Sequence, residues 1–390
     1  MKSKIKLSLA AIFLLTFGLT SADAKELLLG VELPLTGALA RVGNGTLEGI
    51  KVGVDLFNKH NPKYKIKLVT IDDESSPAKA VAAVEKLTSQ GVVAITGGYG
   101  SNIIGPASAA ADKAGLVYMT SGGVGNELTM RGLKHFFRTN GTDGYSRAMT
   151  GLFADMGVKS VSIIYSTKEA TSELAKHVNK VLIDKKVKVT MHPCDPSITD
   201  FKPIINKIKL QDRSEAIAMI GYENDYVGII RAVKVLTPST IKALVGVWSL
   251  ATPKMAADFP DLMPNVYGTA MLPFPAGFNT AEGKEFAGAY KNTYKKEPDY
   301  LSLFGFVQAQ ILCDAIKTSD EKGTLVKGGL TAEVRKFNRN TLIGLVDFDD
   351  NGDNPKFEQR MGQHQNGKIV IVWPKAHSTG QMNYPGLPWK

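Results

Sequence analysis

Residues 92–108, VVAITGGYGSNIIGPAS, decide how the chain is read. Val92 to Thr96 is an unbroken apolar run ending in a hydroxyl, which predicts a strand buried on both faces. Gly97-Gly98-Tyr99-Gly100-Ser101 is a turn, and the Ala-rich segment from Ala107 to Lys113 predicts a helix. A strand that ends in glycines and a serine and then enters a helix presents unpaired N–H groups and the positive end of the helix dipole. Such a turn holds an anion. The residues of the turn alone leave open whether that anion is a nucleotide phosphate, a reacting substrate, or a carboxylate bound and released unchanged.

Outward from this turn the same grammar repeats. Leu27–Leu33, Ile66–Ile71, Gly115–Thr120 and Phe136–Thr139 predict strands. Helical spacing from Gly43 (Leu47, Ile50, Val54, Phe57) and from Pro77 (Val81, Val84, Leu87) falls between them, with Ser76 as a hydroxyl cap before proline. After Gly141 the pattern restarts. Strands at 158–165, 187–191, 216–220, 241–247 and 266–271 alternate with helices at 145–156, 174–182, 201–210 and 226–233. Strand–helix alternation means parallel sheets covered on both faces. The expected architecture is α/β: two similar three-layer lobes with parallel central sheets. Helices near 286–294, 301–316 and 330–337, and strands at 343–348 and 368–373 around a turn at Asp349–Asp353, complete these lobes. The chain then crosses between lobes more than once. The expected division is 25–141 plus 272–346 for the first lobe and 142–271 plus 347–390 for the second, with an irregular tail from Pro374.

The first residues stand apart. Lys2, Lys4 and Lys6 precede an apolar run from Ile5 to Leu19, and Ala22-Asp23-Ala24 supplies a small-x-small cleavage pattern. This reads as a signal peptide, residues 1–24, with the mature chain exported to the periplasm. No cysteine at the cleavage site offers a lipid anchor. The 390 residues carry a net charge of +10, part of which leaves with the signal. The lysine clusters at 185–188 and 291–296 read as solvated faces. No basic stripe interleaves with aromatics, so nucleic acid is not an expected partner. Cys194 and Cys313 lie 119 positions apart and are expected to be free thiols in a monomer.

Enzyme signatures fail one by one. Gly98, Gly100 and Gly105 miss the dinucleotide spacing, and GKS/GKT, GxSxG and HExxH are missing. Ser76–Lys79 fits SxxK, but a helix start explains it. The six histidines form no metal-ligand pair, and Asp349–Asp353 lacks the distal glutamate of a calcium loop. No catalytic residue, metal or cofactor is expected.

Six segments together carry a resemblance: GVELPLTGALARVGNGTLEGIKVGVDLFN (30–58), IDDESSPAKAVAAVEKL (71–87), GGYGSNIIGPASAAADKAGLVYMTSGG (97–123), LKHFFRTNGTDG (133–144), IGYENDYVGIIRAVK (220–234) and FGFVQAQILCDAIK (304–317). In order and spacing the chain resembles the type I periplasmic solute-binding proteins, the leucine/isoleucine/valine-binding branch of ABC importers, from about Leu27 to Trp373. The resemblance implies two α/β lobes joined by three hinge crossings, one small ligand between them, and a permease in the inner membrane as partner.

Its site residues carry over unevenly. Ser101 matches the serine that holds the ligand carboxylate, Gly122 falls where backbone faces the ligand, and Tyr222 matches a far-lobe tyrosine that closes over it. Val124 stands where the family has a threonine that helps hold the ammonium. Trp248 stands at about the position of the acid that pairs with it. Val42 and Ala170 replace two pocket tyrosines, and Tyr99 lies beside the turn. A buried ammonium without partners costs several kcal/mol. The departures therefore point to a carboxylate with an apolar or aromatic body: an aromatic acid or a short oxo or fatty acid. The alternatives are an amino-acid or amide ligand with a rearranged ammonium site, reached for instance by Glu223 or Asp225, and a ligand-sensing subunit of the same fold.

Overall fold

A computed structural model describes residues 24–270 and 280–387. The signal segment up to residue 23 and the stretch around the expected lobe crossing at 271–272 lie outside them. The described strands are β1 (Lys25–Leu33), β2 (Tyr64–Asp72), β3 (Ala94–Gly97), β4 (Val117–Thr120), β5 (Phe136–Arg138), β6 (Ser160–Ser166), β7 (Lys188–Cys194), β8 (Ala216–Ile220), β9 (Ala243–Gly246), β10 (Tyr267–Ala270), β11 (Asn338–Thr341), β12 (Gly344–Asp347), β13 (Arg360–Gln365) and β14 (Lys368–Trp373). The helices are α1 (Ala40–His60), α2 (Pro77–Ser89), α3 (Ser101–Lys113), α4 (Thr142–Met156), α5 (Glu169–Asp184), α6 (Lys202–Lys207), α7 (Glu223–Leu236), α8 (Pro253–Asp258), α9 (Ala281–Tyr294), α10 (Tyr300–Glu321) and α11 (Leu330–Arg335).

The first sheet has the order β2-β1-β3-β4-β5 and is parallel throughout. Helices α1 and α10 pack against one another beside it, as expected from the apolar stripe of α1 and from α10, which is buried on most faces from Tyr300 to Ile316. The second sheet has the order β14-β13-β10-β9-β8-β6-β7. Its strands β7, β6, β8, β9 and β10 are parallel, but β13 runs antiparallel to both β10 and β14. The expected parallel centre is present in both sheets, and the second sheet is mixed at one edge. β13 and β14 are joined by a tight hairpin at Asn366-Gly367, both with positive φ (50° and 74°), the signature of a two-residue turn that reverses the chain.

The turn at Asp349–Asp353 does not join the two strands predicted around it. β12 pairs with β11 in a separate two-stranded sheet, and β14 pairs with β13. Ser76 also departs from expectation: it sits before Pro77 in extended backbone, but its hydroxyl makes no cap bond.

The chain passes between the two sheets through residues 139–141, leaving β5 and entering α4, which packs on β10, β13 and β14. It passes again around 348–357, and there the two segments are laced together. Arg138 N donates to the Gly352 carbonyl at 2.8 Å, and Asn354 Nδ2 donates to the Thr139 carbonyl at 2.9 Å. Arg138 is fully buried. Its guanidinium reaches both oxygens of Asp353 and also the Gly125 carbonyl at 2.6 Å. Cys194 and Cys313 are both buried and free. Among the described residues, no helix is long and apolar enough to cross a membrane, and no metal-binding cluster of His, Cys, Asp or Glu occurs.

Candidate functional site

Between the two sheets lies a cleft of two connected chambers. The inner one is narrow, and the outer one, toward the mouth, is wider. Tyr99, Gly100, Ser101, Ala170 and Tyr222 border both.

The border is built by the glycine turn. β3 ends at Gly97, and Gly98 and Gly100 take positive φ (66° and 92°) to bring the chain into α3 at Ser101. A Cβ on Gly98 would lie 2.3 Å from the Tyr118 hydroxyl, so the turn closes only on glycine there. Below it, Gly98 N donates to the Glu32 carbonyl at 2.6 Å, and the Tyr118 hydroxyl donates to Glu32 Oε2 at 2.5 Å. Complete burial, with Asp73 alongside, holds the Glu32 carboxyl well above the usual carboxylate range. That shift disfavours a second negative charge beneath the turn.

At the top of the turn the Ser101 and Asn102 amides, the first two of α3, have no protein partner among the described residues. The Ser101 hydroxyl is buried and accepts from Gly125 N at 3.0 Å, which leaves its proton to donate. Two amides, a hydroxyl proton and a helix N-terminus converge at this point.

Seven of the eight residues expected at the site line the inner chamber: Ser101, Gly122, Val124, Tyr222, Trp248, Tyr99 and Ala170. Val42 does not. It packs against the core on α1, and Thr46, one helical turn further on, lines the chamber instead. The expected role of Gly122 also changes. Its N–H donates to Thr120 Oγ1 at 2.9 Å and its carbonyl accepts from Gly100 N at 2.9 Å, so its amide is spent inside the protein. A Cβ there would sit 2.1 Å from the Gly98 carbonyl oxygen, so Gly122 is needed for backbone approach.

The rest of the inner wall escaped the sequence reading. Tyr145, Tyr300 and Phe304 join Tyr99, Tyr222 and Trp248, making six aromatic rings. Tyr222 stacks on Trp248 with centroids 5.5 Å apart and planes at 28°, and Tyr145 meets Trp248 edge-on at 6.4 Å. The Tyr145 hydroxyl accepts from Asn140 Nδ2 at 3.1 Å. Burial pushes the Tyr99, Tyr145, Tyr222 and Tyr300 phenols up, so all stay neutral. Gln308 accepts from Thr96 Oγ1 at 3.1 Å and donates to the Phe304 carbonyl at 3.3 Å. Among the described residues no acidic or basic side chain lines this chamber.

The acids that could have served an ammonium are engaged elsewhere. Glu223 pairs with Arg41 across the cleft. Asp225 lies three residues into α7, where its carboxylate accepts from Tyr222 N at 2.8 Å. Neither lines the inner chamber.

Comparison with known proteins agrees with the fold. The chain is 26% identical over 405 aligned residues to the Leu/Ile/Val-binding protein homolog 7 of Brucella melitensis, covering 98% of this chain and 99% of that one. Its fold is similar to that of LivJ from Streptococcus pneumoniae, a branched-chain amino acid transporter substrate-binding protein solved with isoleucine. The TM-score is 0.77 at 21% identity, over 90% of this chain and 100% of that one. It is also similar to a solute-binding protein of an ABC transporter from R. palustris solved with benzoate, with a TM-score of 0.74 at 20% identity, over 89% of this chain and 96% of that one. The two solved proteins are named as the substrate- or solute-binding proteins of transporters. The sequence profile of the family described as periplasmic binding protein matches residues 26–368, and the chain belongs to that family.

Proposed function

We propose that this chain is the ligand-capturing component of an ABC importer and that its ligand is a small carboxylate with an aromatic or apolar body, not leucine. The observation that carries the reading is the inner chamber: six aromatic rings and no charged side chain among the described residues. An α-amino group placed there would lose its water without gaining an anion, a cost of several kcal/mol. A carboxylate at the chamber's border instead meets the Ser101 hydroxyl, two free amides and the end of α3. The benzoate bound by the R. palustris protein belongs to the same chemical class.

In this reading the ligand docks by its carboxylate on the α3 side of the cleft. Its body then packs between Trp248 and Tyr300, so closing the cleft adds contacts that the open form lacks. The closed monomer presents both lobes to a permease in the inner membrane. No bond is made or broken.

The test is a thermal-shift screen of the mature chain against aromatic acids, short carboxylates, their amides and the common amino acids. Aromatic or aliphatic acids should raise the melting temperature more than leucine, isoleucine or valine. The opposite ranking rejects the ligand class.

A further inference from the structure

The outer chamber contains a charge that the inner one lacks. Lys168 lines it together with Ser101, Asn102 and Tyr222, and is its one cation among the described residues. Its backbone is fixed at the start of α5, where its carbonyl accepts from Ser172 N at 2.8 Å and from Thr171 Oγ1 at 2.7 Å. Its ammonium lies 4.7 Å from the centre of the Tyr222 ring and, among the described residues, forms no salt bridge. The ammonium, on an exposed side chain, therefore sits over one end of the aromatic stack, and Ser101 and Tyr222 line the chamber with it.

Two acids lie near it. Asp225 feels Lys168 but is held by Tyr222 N. Glu169, also in the outer chamber, is raised by burial and by Glu127. Neither neutralises the ammonium in a direct pair.

We propose that Lys168 is the counter-cation for the ligand carboxylate and makes the cleft selective for anions that carry no ammonium. This rests on the reading of the ligand as a carboxylate. The helix end and the Ser101 hydroxyl orient the carboxylate, and Lys168 supplies the full charge that those dipoles lack. A zwitterion gains the same contact at its carboxylate but brings a cation toward Lys168, which repels it.

Calorimetry on the mature chain tests this with benzoate, 3-phenylpropionate, its uncharged amide and L-phenylalanine as probes. Lys168→Gln should weaken binding of the better acid about tenfold and flatten its salt dependence. It should leave the amide unchanged, and Lys168→Arg should restore acid binding. If Lys168→Gln binds the acid as the parent does, Lys168 is not the counter-cation and the carboxylate reading survives. If acid and amide weaken alike, Lys168 acts by supporting Tyr222 and the assignment fails. If the parent prefers L-phenylalanine, or binds neither acid, the ligand reading falls and takes the Lys168 assignment with it.

Discussion

Arg138 holds Asp353 through two parallel bonds, Nε to Oδ1 at 2.8 Å and Nη2 to Oδ2 at 2.6 Å, and so ties β5 to the later segment that runs between the sheets. Asp353→Ala would leave a wholly buried guanidinium with only the Gly125 carbonyl and a long contact to Asn126. The expected loss is about 3 kcal/mol of stability. It is read as a lower urea midpoint, and an unchanged midpoint would show that the pair is not structural.

Ser101→Ala removes one hydrogen bond to the ligand carboxylate and the acceptor for Gly125 N. Affinity for the acid found in the screen should fall by about 1.5–3 kcal/mol, roughly 10- to 150-fold. Calorimetry that returns the parental affinity would move the docking point away from α3.

Trp248 forms one wall of the inner chamber and stacks on Tyr222. Trp248→Ala should cost an aromatic acid about 2 kcal/mol. Trp248→Glu places an acid where the family resemblance puts one, and should raise affinity for leucine or valine. If both amino acids bind the glutamate variant as weakly as the parent, position 248 does not decide between ligand classes.

Glu173, on α5, accepts from Asn126 N at 2.9 Å across the cleft. Burial, with Glu127 beside it and against the pull of Arg138, raises its carboxyl from the ordinary 4.5 to about 7. In the closure proposed above, a carboxyl raised in the shut cleft binds its proton more tightly there than in the open one. The closed form is therefore favoured fully below about 4.5, and this advantage is lost as pH rises through about 7. Ligand affinity should be greater at pH 5.5 than at pH 8, and Glu173→Gln should flatten that profile. A profile that keeps its slope in the variant assigns the proton elsewhere.

Arg41 on α1 and Glu223 on α7 pair across the mouth of the cleft, with each side chain about a third exposed. Screening limits an exposed pair to about 0–1 kcal/mol. Glu223→Gln should weaken ligand binding no more than about fivefold, and less at high salt. A larger loss that persists in high salt would make this pair a main determinant of closure.

The α/β alternation could be read from the sequence because buried parallel strands and amphipathic helices leave opposite periodicities, and both lobes follow them. The edge hairpin could not: β13 reads Arg-Met-Gly-Gln-His-Gln, too polar to signal a strand, although Asn366-Gly367 marks its turn. At the site, residues near the glycine turn were found because local backbone explains them. Val42 and Thr46 share a face of α1, one turn apart along its axis, and the chamber reaches only the later of the two. Tyr145, Tyr300 and Phe304 come from distant helices, and only the fold assembles them. Gln308, a fully buried amide in the apolar run of α10, was the one local sign that this helix borders something polar.

The lacing of the two segments between the sheets has a mechanical consequence. Arg138 N to Gly352, Asn354 to Thr139 and the Arg138–Asp353 pair bind neighbouring strands of chain into a single axle. Such an axle can twist, but it cannot slide without breaking a buried ion pair. In the closure proposed above, motion of one half against the other is then expected to be a swing about this axle. Whatever reads the outer surface then receives one coordinate, set by how far the cleft has shut.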